Sequence, residues 1–336
     1  MGTLTRPKDQ SRVMQLPRLL LALFFAWVAT KLAAHGAAGF TTDRWQPLVE
    51  AAMLAFLLLI GFAGLGISFD RQLKPVSEQG LPLRAGWRRE AGLGLAFGWS
   101  LAVAAVLPLV FIGGIVIRLH TAAADWVALG GEAVYFALAT LAEEILFRGY
   151  AFQKMVRLAG GFNAALVFAA LYAIAEARLR GANLVSASVS YLFALLLAAA
   201  YLRSRALWVS WGINFGWKAS RALLFGLTIA GVNQHSPVVV GDPVGPFRLT
   251  GGGFGLEASW TALLLLLVAL PILFRLTRDL DFEYNAPVIE PGGMPVELGG
   301  AIQKQHDAAM GSTATPPPLV QIAPAQKNQD GQPPGS

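Results

Sequence analysis

The sequence predicts an all-α polytopic membrane protein, a bundle of about eight transmembrane helices. Three observations lead there. Of 336 residues, 55% are hydrophobic and only 14% are charged. The mean hydropathy of +0.54 is that of an integral membrane protein rather than a soluble domain. The apolar residues are also gathered into runs near 20 residues, the length a helix needs to cross a hydrocarbon core of about 30 Å. Cysteine is absent, which excludes disulfides, thiol nucleophiles and Cys-ligated metals. The net charge of +6 does not point to nucleic acid, because the lysines and arginines lie between the apolar runs.

Eight runs stand out, at residues 16–34, 47–67, 93–117, 126–147, 162–175, 184–202, 207–229 and 258–276. Residues 1–15 form a polar, basic segment with Arg6, Lys8 and Arg12, read as a cytoplasmic N-terminal segment. The first run resembles a signal-peptide core, with Ala33-Ala34-His35 as a weak cleavage site. The seven runs behind it, and Lys31 placed to snorkel, favour a retained anchor. Residues 16–90 then comprise two helices and a basic loop at 68–90, broken by Pro75, Gly80 and Pro82, which suits a surface of anionic lipid.

Residues 91–276 form the core. The third run carries Gly98, Gly113 and Gly114, which suit close helix packing, and Pro108, expected to kink it. The fifth run is short. Between the last two runs lies a Gly- and Pro-rich stretch with Thr250-Gly251-Gly252-Gly253-Phe254-Gly255. No Gly-Lys-Ser/Thr ends it, so it reads as an ordered external loop or a cap and not a phosphate cradle. Residues 277–336, with Thr315-Pro316-Pro317-Pro318 and a Gln/Gly/Pro-rich end, read as a disordered cytoplasmic tail.

Basic residues alternate between the connecting segments. Arg71, Lys74, Arg84, Arg88 and Arg89 follow run two, Lys154 and Arg157 follow run four, Arg203 and Arg205 follow run six, and Arg275 and Arg278 follow run eight. The intervening segments are poorer. The positive-inside rule then puts both termini in the cytoplasm, and a bacterial inner membrane is the expected location.

Run four ends in Glu143-Glu144-Ile145-Leu146-Phe147-Arg148. A charged residue at the centre of a membrane helix costs roughly 2.5–3.5 kcal/mol on insertion scales, so such residues are functional candidates. Glu144 and Arg148 are one turn apart and can pair, while Glu143 points about 100° away. Two readings are open: a general base beside its supporting pair, or a structural ion pair near the membrane surface. Further polar residues share helical faces: Phe168, Tyr172 and Glu176 in run five, and Ser210, Asn214, Lys218 and Arg221 in run seven. Polar groups inside a membrane turn inward and pair, so these sets can meet in one cavity. The bland alternative is a set of interhelical hydrogen bonds of about 0.6 kcal/mol each.

Glu143-Glu144-x-x-x-Arg148-Gly149 resembles the first motif of the CAAX protease and bacteriocin-processing (CPBP) family of intramembrane proteases. The segments 166–172, 201–208, 212–218 and 249–258 are similar to that family in order and spacing, so the resemblance covers about residues 90–275. It implies a membrane-embedded endopeptidase acting on membrane-associated peptides or proteins, with Glu143, Glu144, Arg148, Tyr172, Asn214 and Lys218 at the site positions. The family's second motif is Phe-x-x-x-His, whereas this chain has Phe168 and Tyr172. Its third is His-x-x-x-Asn, whereas this chain has Asn214 and Lys218. In the family the glutamate and second-motif histidine activate water, and the third-motif pair steadies the oxyanion or, in a metalloprotease account, helps to hold a metal.

These departures shape the expectation. His35, His120, His235 and His306 all lie in loops or the tail. A zinc site needs about three N, S or O protein ligands, so zinc, possible by resemblance, is disfavoured, and neither a metal nor another cofactor is expected. An ammonium at Lys218 within about 4–6 Å of Glu143 would weaken that carboxylate as a base, while Asn214 can still donate to an oxyanion. The expectation is an impaired endopeptidase. The alternative is a catalytically silent member that binds a peptide, lipid or membrane-protein partner in the same cavity.

Overall fold

The computed structural model describes residues 14–42, 45–120, 122–232, 235–285, 288–289 and 295–296. The expected N-terminal segment lies almost wholly outside the described residues, and so does most of the expected disordered tail. The chain forms two units, Met1–Tyr284 and Asn285–Ser336. In the second, a two-residue strand at Val288–Ile289 pairs antiparallel with one at Pro295–Val296.

The first unit is helical. Its helices are α1 (Gln15–Phe40), α2 (Gln46–Asp70), the short α3 (Pro75–Glu78), α4 (Trp87–Phe111), α5 (Ala123–Arg148), α6 (Tyr150–Ala159), α7 (Gly161–Glu176), α8 (Leu184–Ser204), α9 (Leu207–Ala219), the single turn α10 (Phe247–Thr250), α11 (Trp260–Leu276) and α12 (Arg278–Asn285). By length and composition α1, α2, α4 and α8 can cross a membrane, and α7 and α11 are shorter apolar helices. This is an all-α polytopic membrane protein. A helix begins in or near each of the eight apolar runs. Those in runs four and seven depart from a simple span: α5 carries charges near its C-terminus, and α9 is only 13 residues long.

Two apolar cores flank the centre. One joins α4, α8, α9 and α11 through residues such as Leu101, Phe193, Ile213, Trp217 and Leu266. The other joins α1, α2, α6, α7 and α8 through Leu58, Phe62, Phe152, Phe168 and Tyr201. The crossing of α4 and α9 has a sequence cause. Gly94 and Gly98 on α4 face Gly212 and Gly216 on α9, and a Cβ added at any of the four would run into the backbone of the other helix. Small residues four apart on both partners allow such an approach. It fixes the height and rotation of α9, and hence where Asn214 and Lys218 point.

The structure corrects three boundaries. Run three was expected to be helical to 117, but α4 runs through Pro108 and stops at Phe111. Gly113 then turns in the left-handed region (φ 73°), and Ile115–Leu119 forms strand β1. That β-branched stretch pairs antiparallel with β2 (Val239–Pro243), from Ile115 opposite Pro243 to Leu119 opposite Val239. An apolar run does not by itself distinguish strand from helix. In run seven the α-helix ends at Ala219, one π-helical turn follows over Ser220–Leu224, and the chain then leaves the helix. Gly226 (φ 62°) enables that exit, since a side chain there would meet the backbone of Val239. Finally, α12 occupies residues expected to begin the disordered tail. Arg203 on α8 forms an ion pair with Asp281 on α12 at 3.0 Å.

Candidate functional site

Three elements build the site. α5 supplies two adjacent acids one turn before its end. α7 supplies a tyrosine and a glutamate one turn apart. α9, held against α4 by the glycine contacts, supplies an amide and an ammonium. α8 closes the side, its N-terminus fixed by a capping box in which Asn183 and Ser186 bond each other's backbone.

Glu144 is fully buried, and Arg148 one turn on donates to its Oε1 at 2.9 Å. The same guanidinium donates to the carbonyl of Ala194 on α8 at 3.3 Å. The amide nitrogen of Asn214 donates to Glu144 Oε1 and to Glu143 Oε2, both at 3.0 Å. It therefore joins the two acids, and this sets the orientation of the amide. Its oxygen, Oδ1, is buried without a partner.

Glu143 turns the other way. Lys218 Nζ donates to its Oε1 at 2.6 Å and to its Oε2 at 2.7 Å. This pair is only partly shielded, the lysine side chain being 13% and the glutamate 28% exposed. With Asn214 also on Oε2, both oxygens of Glu143 are engaged. Lys218 further lies 5.9 Å from the centre of the Tyr172 ring, and that ring packs edge-on against Phe147.

All six sequence-indicated positions thus fall in one neighbourhood. Of the other two residues on the same predicted face of run seven, Ser210 lies beside Glu144, whereas Arg221 does not join the site. Ser210 donates to the carbonyl of Leu207. Arg221 sits on the π-helical turn, fully buried over the Trp217 ring at 4.1 Å, and donates to Glu257 Oε1 at 2.6 Å. The widened turn rotates it away from the Asn214–Lys218 line. Glu257, from the glycine-rich segment, was missed as a partner. Its only sequence signal was that an arginine inside an apolar run needs an acid from elsewhere in the chain.

Beside Lys218 is a cavity of about 30 Å³, lined by Tyr172, Glu176, Ser190, Trp217, Lys218 and Glu257 among others. That is room for one or two waters. Glu176 ends α7, half buried, and among the described residues its carboxylate has no hydrogen bond or ion-pair partner. The same holds for the Tyr172 and Ser190 hydroxyls.

These donors do not fit a tight zinc site. The positions where the resembling motifs have histidines hold a tyrosine and an amide, and Glu143 already has an ammonium on each oxygen. Among the described residues no three His, Cys, Asp or Glu side chains are grouped to hold a metal ion.

Residues 124–220, under a third of the chain, match the family model described as Type II CAAX prenyl endopeptidase Rce1-like. The matched segment contains α5 to α9 and all six site positions. Over this segment the chain is similar to CPBP-type intramembrane proteases, the family that the motifs resemble. No curated protein and no solved structure matches the chain.

Proposed function

We propose that this CPBP-family membrane protein is an endopeptidase that hydrolyses membrane-associated peptides or proteins at the site between α5, α7, α8 and α9. The observation that carries the reading is the single polar network of Glu143, Asn214, Glu144 and Arg148 inside the matched segment. Peptide hydrolysis needs a carboxylate to take a proton from water, and a donor or cation where negative charge develops on the carbonyl oxygen. The site offers both kinds of group within one neighbourhood, and the reaction proposed uses no bound metal.

The proposed rate is low. A carboxylate with an ammonium on both oxygens is a weak base and has little free surface for water. The same ion pair favours the second reading, a silent member that holds a peptide, lipid or membrane-protein partner. Proteomics of membrane peptides, with and without the chain, separates the two. Peptides that appear only with the chain, and vanish when Glu143 and Glu176 are both changed to alanine, support hydrolysis at this site. An unchanged peptide population would favour the binding reading.

The proposal includes a bacterial inner membrane with both termini in the cytoplasm. It is supported by the alternation of basic segments, with Arg71, Lys74, Arg84, Arg88 and Arg89 on the cytoplasmic side. Reporter fusions at Arg84 and Val240 are expected on opposite sides of the membrane; the same side for both would contradict this topology.

A further inference from the structure

Glu143 is the carboxylate the motifs nominate as base, yet it is the acid at the site with least capacity to spare. Lys218 engages both its oxygens and Asn214 a second time engages Oε2. Glu144 is fully buried with Arg148 and Asn214 on its Oε1. Although its Oε2 has no hydrogen-bond partner among the described residues, Glu144 does not line the cavity in which a water could meet it. Across Lys218 the situation reverses. Glu176 lines a water-sized cavity with Tyr172 and Ser190, and none of the three has a protein hydrogen-bond partner among the described residues. Glu257 lines the same cavity and keeps one buried oxygen, Oε2, without a partner. A cavity of this size with several unengaged polar groups suits ordered water. Its outer wall includes Ile229 and Ala230 of a tight turn closed by the Ile229–Val232 bridge. Ala230 there adopts φ 49°, a conformation non-glycine residues hold only at some cost. One loop, and not a helix, thus bounds this side of the cavity.

We propose that the hydrolytic water of this chain is activated by Glu176, with Glu143 serving as a positioning residue for Lys218. The inference rests on the endopeptidase reading. In the step, the Glu176 carboxylate takes a proton from the cavity water as the water oxygen bonds to the scissile carbonyl carbon. The carbonyl π electrons move to the oxygen, and the Lys218 ammonium and Tyr172 hydroxyl face the resulting oxyanion. Its collapse restores C=O and breaks the C–N bond, and the amine nitrogen leaves with the proton held by Glu176. Water is consumed, a carboxylic acid and an amine are released, and Glu176 returns as carboxylate. Glu143 keeps Lys218 at that place in this account without touching the reacting atoms.

The test uses the full chain in phosphatidylcholine vesicles with a pool of synthetic apolar 20-residue peptides carrying a fluorophore–quencher pair. Glu176→Gln is expected to lower cleavage by at least about a hundredfold, the lower end of what a positioned base contributes. It should also remove the acidic limb of the pH–rate profile. Glu176→Asp should keep measurable cleavage and that limb, which a merely structural role for Glu176 would not require. Glu143→Gln should cost about tenfold and leave the limb in place. The inference is overturned, and the endopeptidase reading kept, if Glu176→Gln cleaves like the parent while Glu143→Gln does not. A parent chain that leaves the pool intact contradicts both. Equal melting temperatures of parent and Glu176→Gln in detergent exclude misfolding as the cause of a loss.

Discussion

Two of the clusters of buried charge that hold this protein's helices together differ in what they leave over. The first surrounds Asp70 at the end of α2. Arg18 of α1 donates to its Oδ1 at 2.8 Å, and Lys154 of α6 donates to its Oδ2. Lys154 is almost wholly buried, 4.5 Å from the centre of the Tyr150 ring. Burial lowers the pKa of its ammonium below the ordinary lysine range, against the opposing pull of Asp70. Arg157 of α6 adds a longer ion pair to Oδ1 at 3.9 Å, so both carboxylate oxygens are paired, and the result is a tie between three helices. The second cluster, around Glu143 and Glu144, also pairs acids with bases. Beside it, however, lie a cavity and, in Glu176, a carboxylate with no hydrogen-bond or ion-pair partner among the described residues. Charge inside a helix bundle therefore does not by itself mark a site. Among the described residues the Asp70 cluster also leaves atoms unbonded, Arg18 Nε and the Tyr150 hydroxyl, so the marker is a carboxylate that faces a cavity, as Glu176 does.

The comparison can be broken at the Asp70 end, where the larger effect is expected. Asp70→Ala strands Lys154 as an uncompensated buried charge and should destabilise the chain by about 3–5 kcal/mol. Denaturant unfolding in detergent reads this directly. Peptide cleavage per folded molecule should be unchanged. A loss under about 1 kcal/mol would mean that water already reaches the cluster. A selective loss of cleavage would end its assignment as a tie.

What was legible in the sequence follows the range of each interaction. The Glu144–Arg148 pair is one turn of one helix, so spacing alone discloses it. That Lys218 needs an acid follows from the cost of burying a cation, and the motif order brought α9 beside α5. Glu176 was visible as a member of the Tyr172 face, but its lack of a partner depends on every element around it. The link between Arg221 and Glu257 was hidden twice, by 36 residues of separation and by a π-helical turn that no periodicity announces. The helix locations came from hydrophobic length, which says little about where a helix stops. Hence Ile115–Ile117 read as helix although the partner strand of that segment lies far along the chain, at Val239–Pro243.

A smaller effect belongs to the second cluster, and it bears on the claim from which the rest follows: that Lys218 occupies Glu143. The direct measurement is a double-mutant cycle of Glu143→Gln and Lys218→Met, followed by unfolding of the full chain in detergent. The pair is partly exposed, at 28% and 13%, so its coupling should fall below that of a dry pair. About 1–2 kcal/mol is expected, within the usual range for residues in contact, with the double variant recovering part of the stability lost by either single change. Coupling indistinguishable from zero would contradict the account, because Glu143 would then be free to act as the family motif implies.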